Sequence, residues 1–95
     1  MFGKKRFEKA LANLHLIIID HIDALAAARR KLYSPDRYGI RDPRKWIKEL
    51  NYFSNNVVDA RLSTWDRALI RSKWKKNYLD ELDYIICQHS NVIMH

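Results

Sequence analysis

A chain of 95 residues with 47% apolar and 31% charged residues has the make-up of one globular domain with a modest core, which excludes a disordered or multi-domain chain. Two glycines and two prolines exclude a fold of many short strands and favour a few long elements. Eighteen Lys and Arg against eleven Asp and Glu leave a net charge of +7, a balance that suits a polyanionic partner such as nucleic acid, an acidic protein face or an anionic membrane.

Residues 5–32 predict one long helix. Leu11, Ile18, Leu25 and Leu32 recur every seven residues, and Phe7, Leu14, His21 and Ala28 fill the companion positions, a heptad held for nearly four repeats. Ile17 and Ile22 widen the stripe toward a second neighbour. Ala24, Ala26, Ala27 and Ala28 raise helix propensity. Arg29, Arg30 and Lys31 sit in the last turns, where cations suit the negative end of the helix dipole. His21 falls at a core position and reads as a satisfied core histidine.

Residues 33–42, YSPDRYGIRD, form the connection, because proline presets its own φ and Asp36 can bond local backbone. Asp42 reads as an N-cap with Pro43 at the first helical position. A second helix follows over 43–54, with Trp46, Leu50 and Phe53 as its buried stripe and Ile47 alongside. Residues 55–63 stay open between a helical extension and a short extended piece. Ser63 with Asp66 resembles a capping box, with Asp in place of Glu, and starts a third helix over 64–88. Trp65, Leu69, Leu79 and Ile86 lie near one face of it, and Ile70, Trp74, Tyr78, Leu82 and Ile85 toward another. The stripe therefore shifts between Ser72 and Asn77, through a bend or a change of neighbour. Residues 1–4 and 89–95 read as loose ends of a single domain over 1–95.

The sum predicts an all-α fold, a small antiparallel three-helix arrangement with long first and third helices. The heptad also offers a seam for a homodimer through the first helix. Strict apolar–polar alternation is absent over any useful length, so no sheet is expected.

The spaced polar residues of enzymes are missing. No Glu-x-Lys or Asp-x-Lys supports a metal-dependent nuclease, and no Arg precedes His15, His21, His89 or His95 at the four-to-six-residue gap that helical ribonucleases use. His15 and His21 are six apart and point to different sides of a helix, so no metal site is expected. With two glycines the chain builds no phosphate-cradling loop, and no cofactor is implied. Cys87, the single cysteine, lies in an apolar helical run beside Ile85 and Ile86 and reads as a buried, inert thiol. No signal peptide or membrane span is evident, so the expectation is a cytoplasmic protein.

Two basic groups carry the chemistry that remains. The first is Arg29, Arg30, Lys31, Arg37, Arg41, Arg44, Lys45 and Lys48, with Tyr38 among them and only Asp36 and Asp42 opposed. It joins a turn, a helix start and cations, the ingredients of a phosphate grip without base reading. The second is Arg71, Lys73, Lys75 and Lys76 around Trp74, the basic and aromatic mixture of single-strand binders. These groups predict a non-catalytic basic protein that contacts nucleic acid phosphates, DNA or RNA, with low sequence specificity. The rival expectation is a small adaptor or inhibitor, of the phage or mobile-element type, that docks on an acidic surface of a larger protein.

Overall fold

The computed structural model describes residues 2–34, 39–74 and 78–93. These form α1 (Phe2–Asp20), α2 (Ile22–Leu32), α3 (Pro43–Phe53), α4 (Asp59–Arg61), α5 (Thr64–Trp74) and α6 (Tyr78–Ile93), with a π-helical turn over Ser54–Val58 between α3 and α4. Between α2 and α3, two-residue strands β1 (Tyr33–Ser34) and β2 (Gly39–Ile40) pair antiparallel, Tyr33 opposite Ile40 and Ser34 opposite Gly39. The protein is all-α apart from this short ladder. The predicted first helix is two helices, and the predicted third is described as α5 and α6 on either side of residues 75–77.

The break in the first helix has a local cause. α1 and α2 meet at a bend of 71° with His21 at the corner. The His21 backbone, at φ −118° and ψ 10°, lies in the sparsely allowed bridge region. Its amide bonds the Ile18 carbonyl at 3.0 Å instead of reaching back to Ile17. The Ile17 carbonyl accepts from the His21 ring Nδ1–H at 2.9 Å, so a side chain stands in for a backbone donor. The ring also meets Phe53 edge-on, with centroids 5.7 Å apart. Beyond the bend, α1 packs chiefly on α5, while α2 packs on α6 and α3. Leu14, Ile18 and Leu25 of the heptad are buried in this way, so the seam expected to pair with a second copy faces the chain's own core.

The rest follows local chemistry. Asp42 caps α3, its carboxylate accepting the Lys45 N–H at 3.4 Å, and Trp46, Leu50 and Phe53 are buried as their spacing requires. The open stretch after Phe53 continues as the π turn, in which the Asp59 N–H bonds the Ser54 carbonyl five residues back. Phe53 and Val58, also five apart, both face the core there. Ser63 Oγ accepts the Asp66 N–H at 3.1 Å and caps α5. The Asp66 carboxylate does not close the box; it accepts from Asn13 Nδ2 at 3.1 Å and ties α5 to α1. α5 lies on α1, whereas α6 lies on α2 and α3, and this change of neighbour explains the shifted stripe.

Two further expectations need correction. Residues 2–4 and 89–93 belong to helices and are not loose ends. Ser90 is buried, its Oγ donating to the Ile86 carbonyl at 2.6 Å, and His89 Nε2 lies 3.3 Å from His15 Nδ1, which fastens the end of α6 to α1. Trp65 belongs to no buried stripe, since it is 61% exposed at the start of α5.

One carboxylate oxygen joins three elements. Asp83 Oδ1, on α6, accepts from Trp46 Nε1 of α3 at 2.8 Å and from Arg29 Nε of α2 at 3.0 Å, with the Cys87 thiol 3.8 Å away. Asp83→Ala strips the acceptor from a buried indole N–H and should cost about 2 kcal/mol, read as a lower urea midpoint at unchanged slope. Asp83→Asn keeps an acceptor and should lose less; an Ala variant as stable as the parent would make the junction incidental.

His15 sets a pH dependence. Burial first, and the neighbouring His89 second, hold His15 below the ordinary imidazole value of 6.5. The folded chain therefore binds fewer protons than the unfolded one, and this share of stability is present above the unfolded pKa and lost as pH falls below about 6.5. His15→Asn should flatten the fall in melting temperature between about pH 7 and pH 5. A variant curve as steep as the parent's would assign the slope to other groups.

Candidate anion-binding surface

The last turn of α2 and the first turns of α3 are held side by side from several directions. The β1–β2 ladder closes the connection, the Arg41 N–H bonds the Leu32 carbonyl at 2.5 Å, and Asp83 binds Arg29 and Trp46 beneath. Lys45 and Lys48, three residues apart on α3, share one face. Lys31 reaches the same place from α2. These three lysines line a cavity of about 280 Å³ together with Ala28, Leu32 and a single acid, Glu49. Arg30, Arg41 and Arg44 are exposed on the same stretches of chain. The Asp42 side chain is turned to the Lys45 backbone as a cap.

Arg29 departs from the predicted grip. Its guanidinium is committed to Asp83, where it helps hold α2 to α6. Arg37 and Tyr38 lie outside the described residues, as do Lys75 and Lys76 of the second group. In that group Lys73 is exposed, and the Arg71 guanidinium lies over the Tyr78 ring, 5.1 Å from its centroid. Burial pushes the Tyr78 phenol above its ordinary value, with Arg71 pulling the other way. Trp74 is half-buried against the core and tilted on Tyr78, with centroids 5.8 Å apart. The ring that the sequence offers for stacking is thus engaged within the chain. Arg71 also lines a second cavity, of about 380 Å³, with Thr64 and Arg67, but Arg67 is paired there with Asp59.

The structure brings forward residues that pattern reading missed. Trp65 is exposed, and the Arg6 guanidinium lies over its ring, 5.5 Å from the centroid. Lys4, Lys5 and Lys9 are exposed on the same end of α1. The available signal was the cation run at the start of a helix, where the dipole disfavours positive charge. The Cys87 thiol is half-buried, and burial together with the Asp83 carboxylate pushes its pKa up, so it stays protonated and weakly nucleophilic. Among the described residues no three His, Cys, Asp or Glu side chains gather as a metal site, and no single helix is long and apolar enough to cross a membrane. No family model, no curated protein and no solved structure matches the chain.

Proposed function

We propose that the protein is a non-catalytic binder of nucleic acid that holds phosphates, with low sequence specificity, in the hollow between α2 and α3. The observation that carries this reading is the convergence of Lys31, Lys45 and Lys48, from two helices, on one cavity with a single carboxylate in its wall. Like charges held together cost folding energy, and a bound phosphate backbone relieves that cost. Lysines supply compact point charges without the planar guanidinium fork, and point charges suit a phosphate backbone irrespective of sequence.

A second reading has its own support. Ile47 is 47% and Tyr52 66% exposed on α3, the helix that carries Lys45 and Lys48. Apolar and aromatic side chains beside cations also suit an adaptor docked on an acidic protein face. Salt weakens both kinds of complex, so binding to naked nucleic acid separates them.

The test is fluorescence anisotropy of labelled duplex DNA at several salt concentrations. Changing Lys31, Lys45 and Lys48 together to Gln should reduce the slope of log affinity against log salt by about 2.7, the share of three phosphate contacts on B-DNA. All three side chains are exposed, so the fold should persist, as checked by its melting temperature. An unchanged slope removes the hollow from the interface. No binding of any nucleic acid at low salt overturns the reading in favour of the adaptor.

A further inference from the structure

Trp65 is an anomaly of the surface. At the start of α5 its indole is 61% exposed, although tryptophan contributes most to stability when its ring is buried. Its position is nevertheless well defined. Ser63 caps the helix one turn below Asp66, and Asn13 of α1 bonds the Asp66 carboxylate beside it. The Arg6 guanidinium lies over the ring, 5.5 Å from its centroid. Arg6 and Asn13 are seven residues apart on α1 and both touch the start of α5, so Lys9, between them, lies on the same strip of helix.

Two cations at this end of α1, Lys4 and Lys5, stand in the first turn, where they oppose the helix dipole. Lys4, Lys5, Arg6 and Lys9 are all exposed in the first turns of α1, with Glu8 the one acid among them and no acid in the first turn. Positive charge at this end of a helix is unfavourable. Cations on the strip of α1 that faces the start of α5, Arg6 over the ring and Lys9 one turn on with Lys5 beside it, next to an exposed indole, combine the two parts of a single-strand site. The charge follows the phosphate backbone, and the ring takes an unpaired base.

We propose that Trp65, backed by Arg6, is a stacking platform for one unpaired base of a single-stranded nucleic acid whose phosphates are held by Lys5 and Lys9. This rests on the nucleic-acid reading above and adds to it a preference for unpaired strands. Bases inside a duplex are already stacked and offer no face to the ring. The platform is separate from the lysine hollow. α1 alone spans roughly 28 Å, and the hollow lies past the His21 bend at the far end of α2.

The experiment measures the affinity of the full chain for a labelled 15-nucleotide oligo-dT and for a duplex of equal length, at fixed low salt, by anisotropy. Trp65→Ala should weaken oligo-dT binding about tenfold, within the range for losing one base stack, and leave duplex affinity within about twofold. Trp65→Phe should restore most of the loss, since a smaller ring still stacks. The Lys31, Lys45 and Lys48 triple variant should weaken both ligands. Wild type that binds duplex but not oligo-dT, Trp65→Ala that leaves oligo-dT unchanged, or equal losses on both ligands would each overturn the platform while the hollow stands. So would a Trp65-dependent gain of binding to phosphatidylserine vesicles without one for oligo-dT. Wild type that binds neither nucleic acid overturns both readings together.

Discussion

The arrangement depends most on one oxygen. Asp83 Oδ1 receives the Trp46 indole N–H and the Arg29 guanidinium, and so fixes α3 and α2 against α6 at a single point. Trp46 is only 4% exposed, and its N–H would be a buried donor without a partner were Asp83 absent. Arg29 supplies the countercharge that lets a carboxylate sit at the edge of the core. The lysine hollow is a consequence of this junction. Lys31 lies two residues after Arg29, and Lys45 and Lys48 flank Trp46, so a contact beneath the surface sets the spacing of the cations above it.

The bend at His21 provides the second constraint. A straight helix over 5–32 would be about 40 Å long and would present its apolar stripe to one side only. Turned by 71°, the two halves cover different partners, α5 on one side and α6 with α3 on the other. The corner is held from outside by the His21–Phe53 ring contact and by the Arg61–Asp20 ion pair at 2.7 Å. The ion pair is largely exposed and screened, so the ring contact and the substituted hydrogen bond are the stronger determinants.

What could be read from the sequence was what local chemistry decides. The Asp42–Pro43 start, the Ser63 cap, the Trp46–Leu50–Phe53 stripe and the all-α class each rest on a few neighbouring residues, and each stands. The break at His21 was not legible, because the heptad runs through it without interruption and only a tertiary partner, Phe53, makes the corner worthwhile. The π turn was hidden for a related reason: Asn55 and Asn56 signal weakness, while the five-residue spacing of Phe53 and Val58 gains meaning only against a core. Of the candidate site, Lys31, Lys45 and Lys48 line one cavity. Arg29 was lost to Asp83, 54 residues away, a pairing across helices that leaves no trace in linear order, whereas the Trp74–Tyr78 contact follows the four-residue spacing already visible there.

Among the described residues, three arginines and three lysines have different surroundings. Arg29, Arg61 and Arg67 meet Asp83, Asp20 and Asp59, and these pairs bind one element to another. The guanidinium suits that work, because its planar donors hold a carboxylate in a fixed orientation at modest desolvation cost. The hollow instead gathers lysines, strongly hydrated and flexible, whose point charges suit an anion held by charge and released as salt rises. At the other end of the molecule Lys4 and Lys5 stand in the first turn of α1, where the helix dipole opposes them. Three arginines are thus paired with acids across elements, while the lysines of the hollow and the cations beside Trp65 are exposed. Departures from local stability rules concentrate at functional sites, because selection for binding can hold a charge where selection for stability would remove it.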